Sequence, residues 1–338
     1  MKKSLSSILF TDLHINEFNL EICNDFLEYL LDFLNKNNTK YLYFLGDLFD
    51  NRKGLSEIVI NFSIHFFEKL LSNKNINIFL IPGNHDKFIE TSKESYLNIF
   101  PYLDKERIFV KKTVDWIANS HIGYYFFPYF EGKIFEEQLN KLIEISSKQS
   151  DNKKVLFAHY MYEELPEELT KNFDKIFLGH NHQREDFPKG QYIGSCIQQG
   201  FSEDKYKGFS ILYDDLSTKQ ITFEAKEYIT QVIDLNVFTE EKAKSFILSF
   251  KDKYPNKYLR VEFIGFHKDI SYLKDFCKEN NISCISKIDN TIGESVQEEK
   301  ILISELTDNQ IKAYYEEFTK SQQIPENVNK LLMSYLWK

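Results

Sequence analysis

The chain has 338 residues and a net charge of −9, and its 20 tyrosines and 31 phenylalanines, set against 12 glycines and 7 prolines, exclude a low-complexity or linker-rich protein. The length suits about two domains with a substantial core. The acidic balance excludes coating of nucleic acid through many Lys and Arg contacts with phosphate, while leaving room for a local phosphate site. No run approaches the roughly 18 apolar residues of a membrane span. Met1-Lys2-Lys3-Ser4 leads into a strand without the apolar stretch and cleavage site of a signal peptide. Cys23, Cys196, Cys277 and Cys284 include no Cys-x-x-Cys pair, so the expectation is reduced, structural thiols in a cytoplasmic protein rather than a disulfide framework or a thiolate zinc site.

In chain order, an apolar run at residues 7–10 ends in Thr11-Asp12-Leu13-His14. Residues 22–34 then place Ile22, Phe26, Leu27, Leu30, Leu31 and Leu34 at helical spacing. A strand at 41–46 runs into Asp47-Leu48-Phe49-Asp50, a helix at about 56–71 follows, and a strand at 78–81 stops at Pro82-Gly83-Asn84-His85-Asp86. The order βαβαβ predicts a parallel sheet. A short helix is expected at 92–100, strands at 107–110, 114–117 and 123–128, and a helix at 134–147. The strands at 154–158 and 174–178 end in His159 and in Gly179-His180-Asn181-His182. Strands at 191–194, 208–213 and 220–224 are expected to close a second sheet in antiparallel fashion.

The fold class is therefore α/β, a two-sheet sandwich flanked by helices over residues 1–229. From 230 to 303 a small α+β unit is expected, with strands at 232–235, 258–264 and 282–288 and helices at 239–252 and 269–280. Residues 304–338 read as two helices, at 308–321 and 326–337. The second carries Val328, Leu331, Leu332, Tyr335 and Leu336 as an apolar stripe, which must be buried on a local core or a partner.

Polar side chains gather where buried strands end: Asp12, His14, Asp47, Asp50, Asn84, His85, His159, His180 and His182. In open α/β sheets that edge is where ligands bind. Imidazole and carboxylate without thiolate suit Mn, Fe or Zn. The donors are too many for one ion, and Asp47, placed between the other clusters, is the natural carboxylate to bridge two. Two such ions clamp a phosphoryl group and generate hydroxide. Arg52, Lys53, Lys87 and Arg184 lie just beyond the clusters and form a candidate phosphate-facing set. His65, His121 and His267 belong to no cluster.

Asp12-Leu13-His14, Gly46-Asp47-Leu48-Phe49-Asp50, Gly83-Asn84-His85-Asp86, His159 and Gly179-His180-Asn181-His182 resemble the motif set of the calcineurin-like metallophosphoesterases. The resemblance implies one ion on Asp12, His14, Asp47 and His182 and another on Asp47, Asn84, His159 and His180. It also implies His85 as the unligated acid and Asp50 as its orienting partner. Gly46 through Lys53, and the later Tyr192-Ile193-Gly194-Ser195 and Gly208-Phe209, resemble DNA-repair nucleases of the SbcD type. Ser286-Lys287-Ile288-Asp289-Asn290 is similar to the recombination endonuclease subunit of tailed phages. Cys196 stands where many of these nucleases carry a proline, and Asn51-Arg52 stands where protein phosphatases of the superfamily carry Arg-Gly.

What the resemblance implies is an exo/endonuclease subunit that hydrolyses DNA phosphodiesters with two divalent ions. Mn is preferred, with Mg, Fe or Zn as alternatives. It further implies a homodimer in the cytoplasm, a host's if phage-encoded, and an SbcC-type coiled-coil ATPase gripped by the C-terminal helices. The rival readings are a phosphatase or cyclic-nucleotide phosphodiesterase with the same centre, and a non-catalytic scaffold.

Overall fold

A computed structural model of the chain describes residues 5–287 apart from 38, 120, 152, 224–227, 256 and 266–269. Its first three apolar runs form β1 (Leu5–Phe10), β2 (Tyr41–Phe44) and β3 (Asn77–Leu80), alternating with α1 (Leu20–Lys36) and α2 (Glu57–Leu71). These strands pair in parallel in chain order, and β4 (Ile108–Val110) extends the sheet beside β3. Successive strand residues point to opposite faces, so each run feeds two cores. Ile8, Phe10, Leu42, Phe44, Ile78 and Leu80 pack with Phe26 and Leu30 of α1 and Phe67 and Leu70 of α2. Leu9, Tyr43 and Phe79 turn the other way, onto the second sheet. Burial on both faces is why these strands are continuously apolar instead of alternating.

The second sheet contains β5 (Asp115–Asn119), β6 (Ile122–Phe127), β7 (Lys153–Ala158), β8 (Lys175–Leu178), β9 (Glu185–Phe187) and β10 (Gly190–Tyr192), with α3 (Gly132–Lys148) and the short α4 (Glu167–Thr170) between them. Its order is β5-β6-β7-β8-β10-β9. Phe126, Val155, Phe157 and Phe177 meet the first sheet, where Tyr43 stacks on Phe157 with centroids 4.6 Å apart. On the outer face, Phe127, Leu156 and Leu178 pack with Leu139 and Leu142 of α3.

Two expectations are corrected here. The strands β11 (Gly208–Tyr213) and β12 (Thr218–Thr222) join the first sheet, in the order β12-β11-β1-β2-β3-β4, with β11 antiparallel to β1. Phe209 then meets Phe26 and Phe33 of α1 edge-on, while Leu212 enters the core between the sheets. The segment expected as a helix at 92–100 is a 3-10 helix over Tyr96–Tyr102 that contains Pro101.

Beyond them, β13 (Tyr228–Asp234), β14 (Tyr258–Ile264) and β15 (Ser283–Lys287) form a parallel three-stranded sheet with α5 (Glu240–Lys253) and α6 (Ser271–Glu279). This unit has its own core, including Ile233, Ile247, Val261, Phe263 and Leu273. Its first described strand, β13, starts at Tyr228. The helices expected at 308–321 and 326–337, and His267, lie outside the described residues. Among the described residues, no helix is long and apolar enough to cross a membrane.

Candidate metal centre

The loops that follow β1 and β2 run side by side, with Asp12 N–H donating to the Gly46 carbonyl (2.9 Å) and Leu13 N–H to that of Asp47 (2.9 Å). Turning each chain out of its strand puts several side chains in left-handed backbone: Asp12 at φ 52°, His14 at 47°, Asp47 at 56° and His180 at 79°. Such residues cost about 1–3 kcal/mol each and concentrate at functional sites. The glycine ahead of each cluster has a steric reason. A Cβ on Gly83 would strike the Asp47 carboxylate and backbone, and one on Gly179 would strike Thr11 Oγ1, the Leu45 carbonyl and His159.

Asp86 locks the arrangement. Its buried carboxylate accepts the backbone N–H groups of Asp47 (2.8 Å), Leu48 (2.9 Å), Phe49 (3.2 Å) and Gly83 (2.9 Å). Burial, followed by the neighbouring Asp47 charge, pushes its carboxyl up to about 7 against those bonds. Sequence reasoning assigned this residue no role, because accepting four N–H groups from two loops leaves no spacing pattern.

The donors form two groups joined through Asp47, with a third spanning them. Asp12, His14 and His182 make one, Asp47, His159 and His180 make another, and His14, Asp47 and His85 make the third, each with its ligand atoms within 4.8 Å of one another. Asp47 Oδ2 lies 3.2 Å from His159 Nε2 and 3.6 Å from His14 Nε2, so one carboxylate reaches both groups. His182 Nε2 and His14 Nε2 converge at 3.1 Å. Asn84 turns its amide oxygen to His159 Nε2 (3.0 Å) and His180 Nδ1 (3.1 Å). Rotated by half a turn, it would instead donate to these nitrogens and to Asp47, and accept from Arg52. Oxygen-inward is the orientation a cation demands. Oxygen and imidazole donors converging without thiolate fit two divalent ions.

Electrostatics agree with that fit. Burial works against a charged His14, yet Asp12, Asp50 and Asp47 overcome it and push the imidazole up to about 10. His159, likewise opposed by burial, is pushed to about 9, chiefly by Asp47. In spite of burial, His159 and His14 hold the Asp47 carboxyl well below its ordinary range. The centre is an anionic cage that attracts cations, with protons filling that role in the ion-free protein.

The remaining candidates divide. His85 is half-buried; its backbone N–H donates to Asp47 Oδ1 (2.8 Å), and its ring stands edge-on to His14 with centroids 4.7 Å apart. Asp50 meets His85 Nδ1 through its backbone carbonyl, while its carboxylate sits 3.6 Å from His14 Nδ1 and accepts from Asn16 (3.3 Å). Arg52 pairs with Glu90, while Lys53 is exposed beside it.

Lys87 and Arg184 are engaged by groups within the protein. Lys87 is fully buried, donating to the Ser92 carbonyl (2.9 Å) and to that of Tyr129, with its ammonium 3.5 Å from the centre of the Phe130 ring. Arg184 is half-buried and bonds to Ser210 Oγ (2.7 Å) and Gln191 Oε1 (3.4 Å). His65 is exposed beside Glu68 on α2, and His121 lies in the turn between β5 and β6, both apart from the clusters. Glu203 and Gln199 were missed: Glu203 Oε1 is 2.7 Å from His182 Nδ1, and Gln199 Nε2 donates to the Asp12 carbonyl (2.9 Å).

A sequence model of the family described as calcineurin-like phosphoesterase matches residues 6–184, a span that holds every ligand candidate. Protein 078R of Invertebrate iridescent virus 3, which carries the name phosphoesterase, is 24% identical over 289 residues, covering 79% of this chain and 80% of its own. Among solved structures, a dimetal phosphatase from Danio rerio is 11% identical over 61% of this chain and 91% of that one, with a TM-score of 0.46. Nuclease MPE from Pseudomonas putida is 16% identical over 52% and 61% of the two chains, with a TM-score of 0.27.

Proposed function

Because this chain belongs to the calcineurin-like phosphoesterase family and is thereby a metal-dependent phosphoesterase, we propose that its substrate is DNA and that it acts as a two-metal exo/endonuclease. The observation that carries the hydrolytic chemistry is Asp47 standing between the two donor groups. Asp12, His14, Asp47 and His182 would hold one ion, and Asp47, Asn84, His159 and His180 the other. Bound there, the ions supply Lewis acidity and an activated water.

The chain's own residues do the rest. Asp86 fixes the two loops that carry Asp47 and Asn84, so the donors need no reorganisation on binding. Arg52, ion-paired with Glu90, is the guanidinium that would meet phosphate charge. With Nδ1–H of His85 donated to the Asp50 carbonyl, Nε2 of the neutral ring presents a lone pair, and burial holds the imidazole below its ordinary value; His85 would therefore take up a proton at Nε2 before passing it to the leaving oxygen.

Two features support a polymeric substrate. The segment from Gly46 to Lys53 resembles the SbcD-type nucleases. The unit from Tyr228 onward packs against the loop that reaches the centre: Phe201 meets Tyr228 edge-on with centroids 5.0 Å apart, and Arg260 lies 4.5 Å over the Phe201 ring. That adds surface beyond what a small phosphomonoester needs. The same reading carries Mn as the preferred metal, a homodimer in the cytoplasm, and an SbcC-type ATPase bound through residues 304–338.

The test is an assay on linear and circular, single- and double-stranded DNA with Mn or Mg, beside a generic phosphomonoester. DNA cleavage is the expected result. Strong monoesterase activity without cleavage would replace this reading with a small-substrate phosphatase, and neither activity in the metal-loaded protein would replace it with a scaffold.

A further inference from the structure

Glu203 lies outside the segment matched to the family, in a loop between β10 and β11 that carries no metal-type motif, yet it touches the centre. Its Oε1 is 2.7 Å from His182 Nδ1. Its Oε2 accepts from Gln199 N–H (2.9 Å) and from the buried Lys207 ammonium (3.1 Å). Lys207 also donates to the His182 carbonyl (2.8 Å), and Gln198 Nε2 to the Glu203 carbonyl (2.9 Å). The carboxylate is thus held at both ends, with one oxygen free to face His182. An imidazole that gives its Nδ1 proton to a fixed carboxylate keeps its Nε2 lone pair directed inward, where Asp12 Oδ1 lies 3.9 Å away and His14 Nε2 3.1 Å.

The second pocket is supported differently. His159 gives its Nδ1 to a neutral acceptor, the Leu45 carbonyl (2.7 Å). A carboxylate partner makes an imidazole a more basic ligand than a carbonyl does, and such partners are worth about 10–100-fold in metal affinity. We infer that Glu203 is the positioning residue of the Asp12/His14/His182 pocket: it fixes the tautomer and orientation of His182 and so sets the affinity of one ion and not the other. This rests on the two-ion reading above. It also ties the centre to the carboxyl-terminal unit, because Gln198 accepts the Tyr228 backbone N–H (3.0 Å) while holding the Glu203 backbone.

Mn binding to the full chain, measured by titration calorimetry and by the spin-coupled Mn resonance, tests this on Glu203→Gln and Glu203→Ala. Glu203→Gln keeps the size and a hydrogen-bond acceptor but removes the charge. The expected result is one ion weakened about 10–100-fold, the other unchanged, the coupled signal lost at limiting Mn, and the melting temperature of the ion-free protein near that of the wild type. Glu203→Ala should weaken the same ion at least as much. Two ions held at wild-type affinity in both variants would overturn the assignment. So would equal loss of both ions with a lowered melting temperature, which would make Glu203 a loop brace. Wild-type protein binding fewer than two ions would instead overturn the two-ion reading itself.

Discussion

Asp47 is the residue on which both donor groups depend, being 3.2 Å from His159 and 3.6 Å from His14. Asp47→Ala should therefore lose both ions and turnover together, and metal analysis showing two Mn per chain in that variant would remove its bridging role. His85 and Asp50 separate proton transfer from metal binding. His85→Asn should lose about 10²–10⁴-fold in rate while keeping its ions. Asp50→Asn, whose carboxylate faces His14 rather than His85, should weaken metal binding about 10–100-fold, and a pure rate loss with full metal occupancy would return it to His85. The ion-free protein at pH 7 holds protons on His14, pushed to about 10, and on His159, pushed to about 9. A ligating imidazole must give its proton up, so metal affinity should rise with pH toward that range and uptake at pH 7 should expel about two protons. Calorimetry in buffers of different ionisation enthalpy measures this directly, and heats independent of buffer would contradict it.

At the scale of elements, the site depends on how the loop after β3 is fastened to the loop after β6. Tyr129 N–H donates to the Pro82 carbonyl (2.9 Å), and Lys87 reaches across from one loop to the Tyr129 carbonyl in the other. The Tyr129 ring lies near-parallel to that of His180, at 21°, with centroids 6.2 Å apart. Lys87→Met should leave the carbonyls of Ser92 and Tyr129 without that donor and cost about 1–3 kcal/mol. Denaturant unfolding checks the loss, and KM for a phosphoester substrate should stay near the wild-type value. A raised KM at unchanged stability would restore Lys87 to the phosphate site.

For the whole molecule, on the DNA reading, the net charge of −9 and the internal bonds of Lys87 and Arg184 leave Arg52 and Lys53 as the cations of the candidate phosphate-facing set among the described residues. Two phosphate contacts imply a plot of log affinity against log salt with a slope of about −2. Binding of short duplexes to metal-free protein over a range of salt would measure it. A slope nearer −6 would reveal a cationic track along the DNA, which these two side chains cannot supply.

What the sequence by itself determined is local. Residues in β1, β2 and β3 alternate between two cores while remaining apolar on both faces, and each run stops at a polar cluster. Strand, direction and the types of ligand are therefore written within about ten residues of one another. What only the tertiary structure decided depends on contacts between distant segments. β11 reads as a strand from its own residues, but its pairing with β1 rather than with the second sheet was settled by where Phe209 and Leu212 could be buried. Asp50 stands next to the right cluster, yet which of its groups meets which histidine was set by the joint path of the loops after β1 and β2. Lys87 and Arg184 look like surface cations until the fold closes over them. Glu203 lies 21 residues from His182 in the chain and 2.7 Å from it in space, and a hydrogen bond of that kind has no period to betray it.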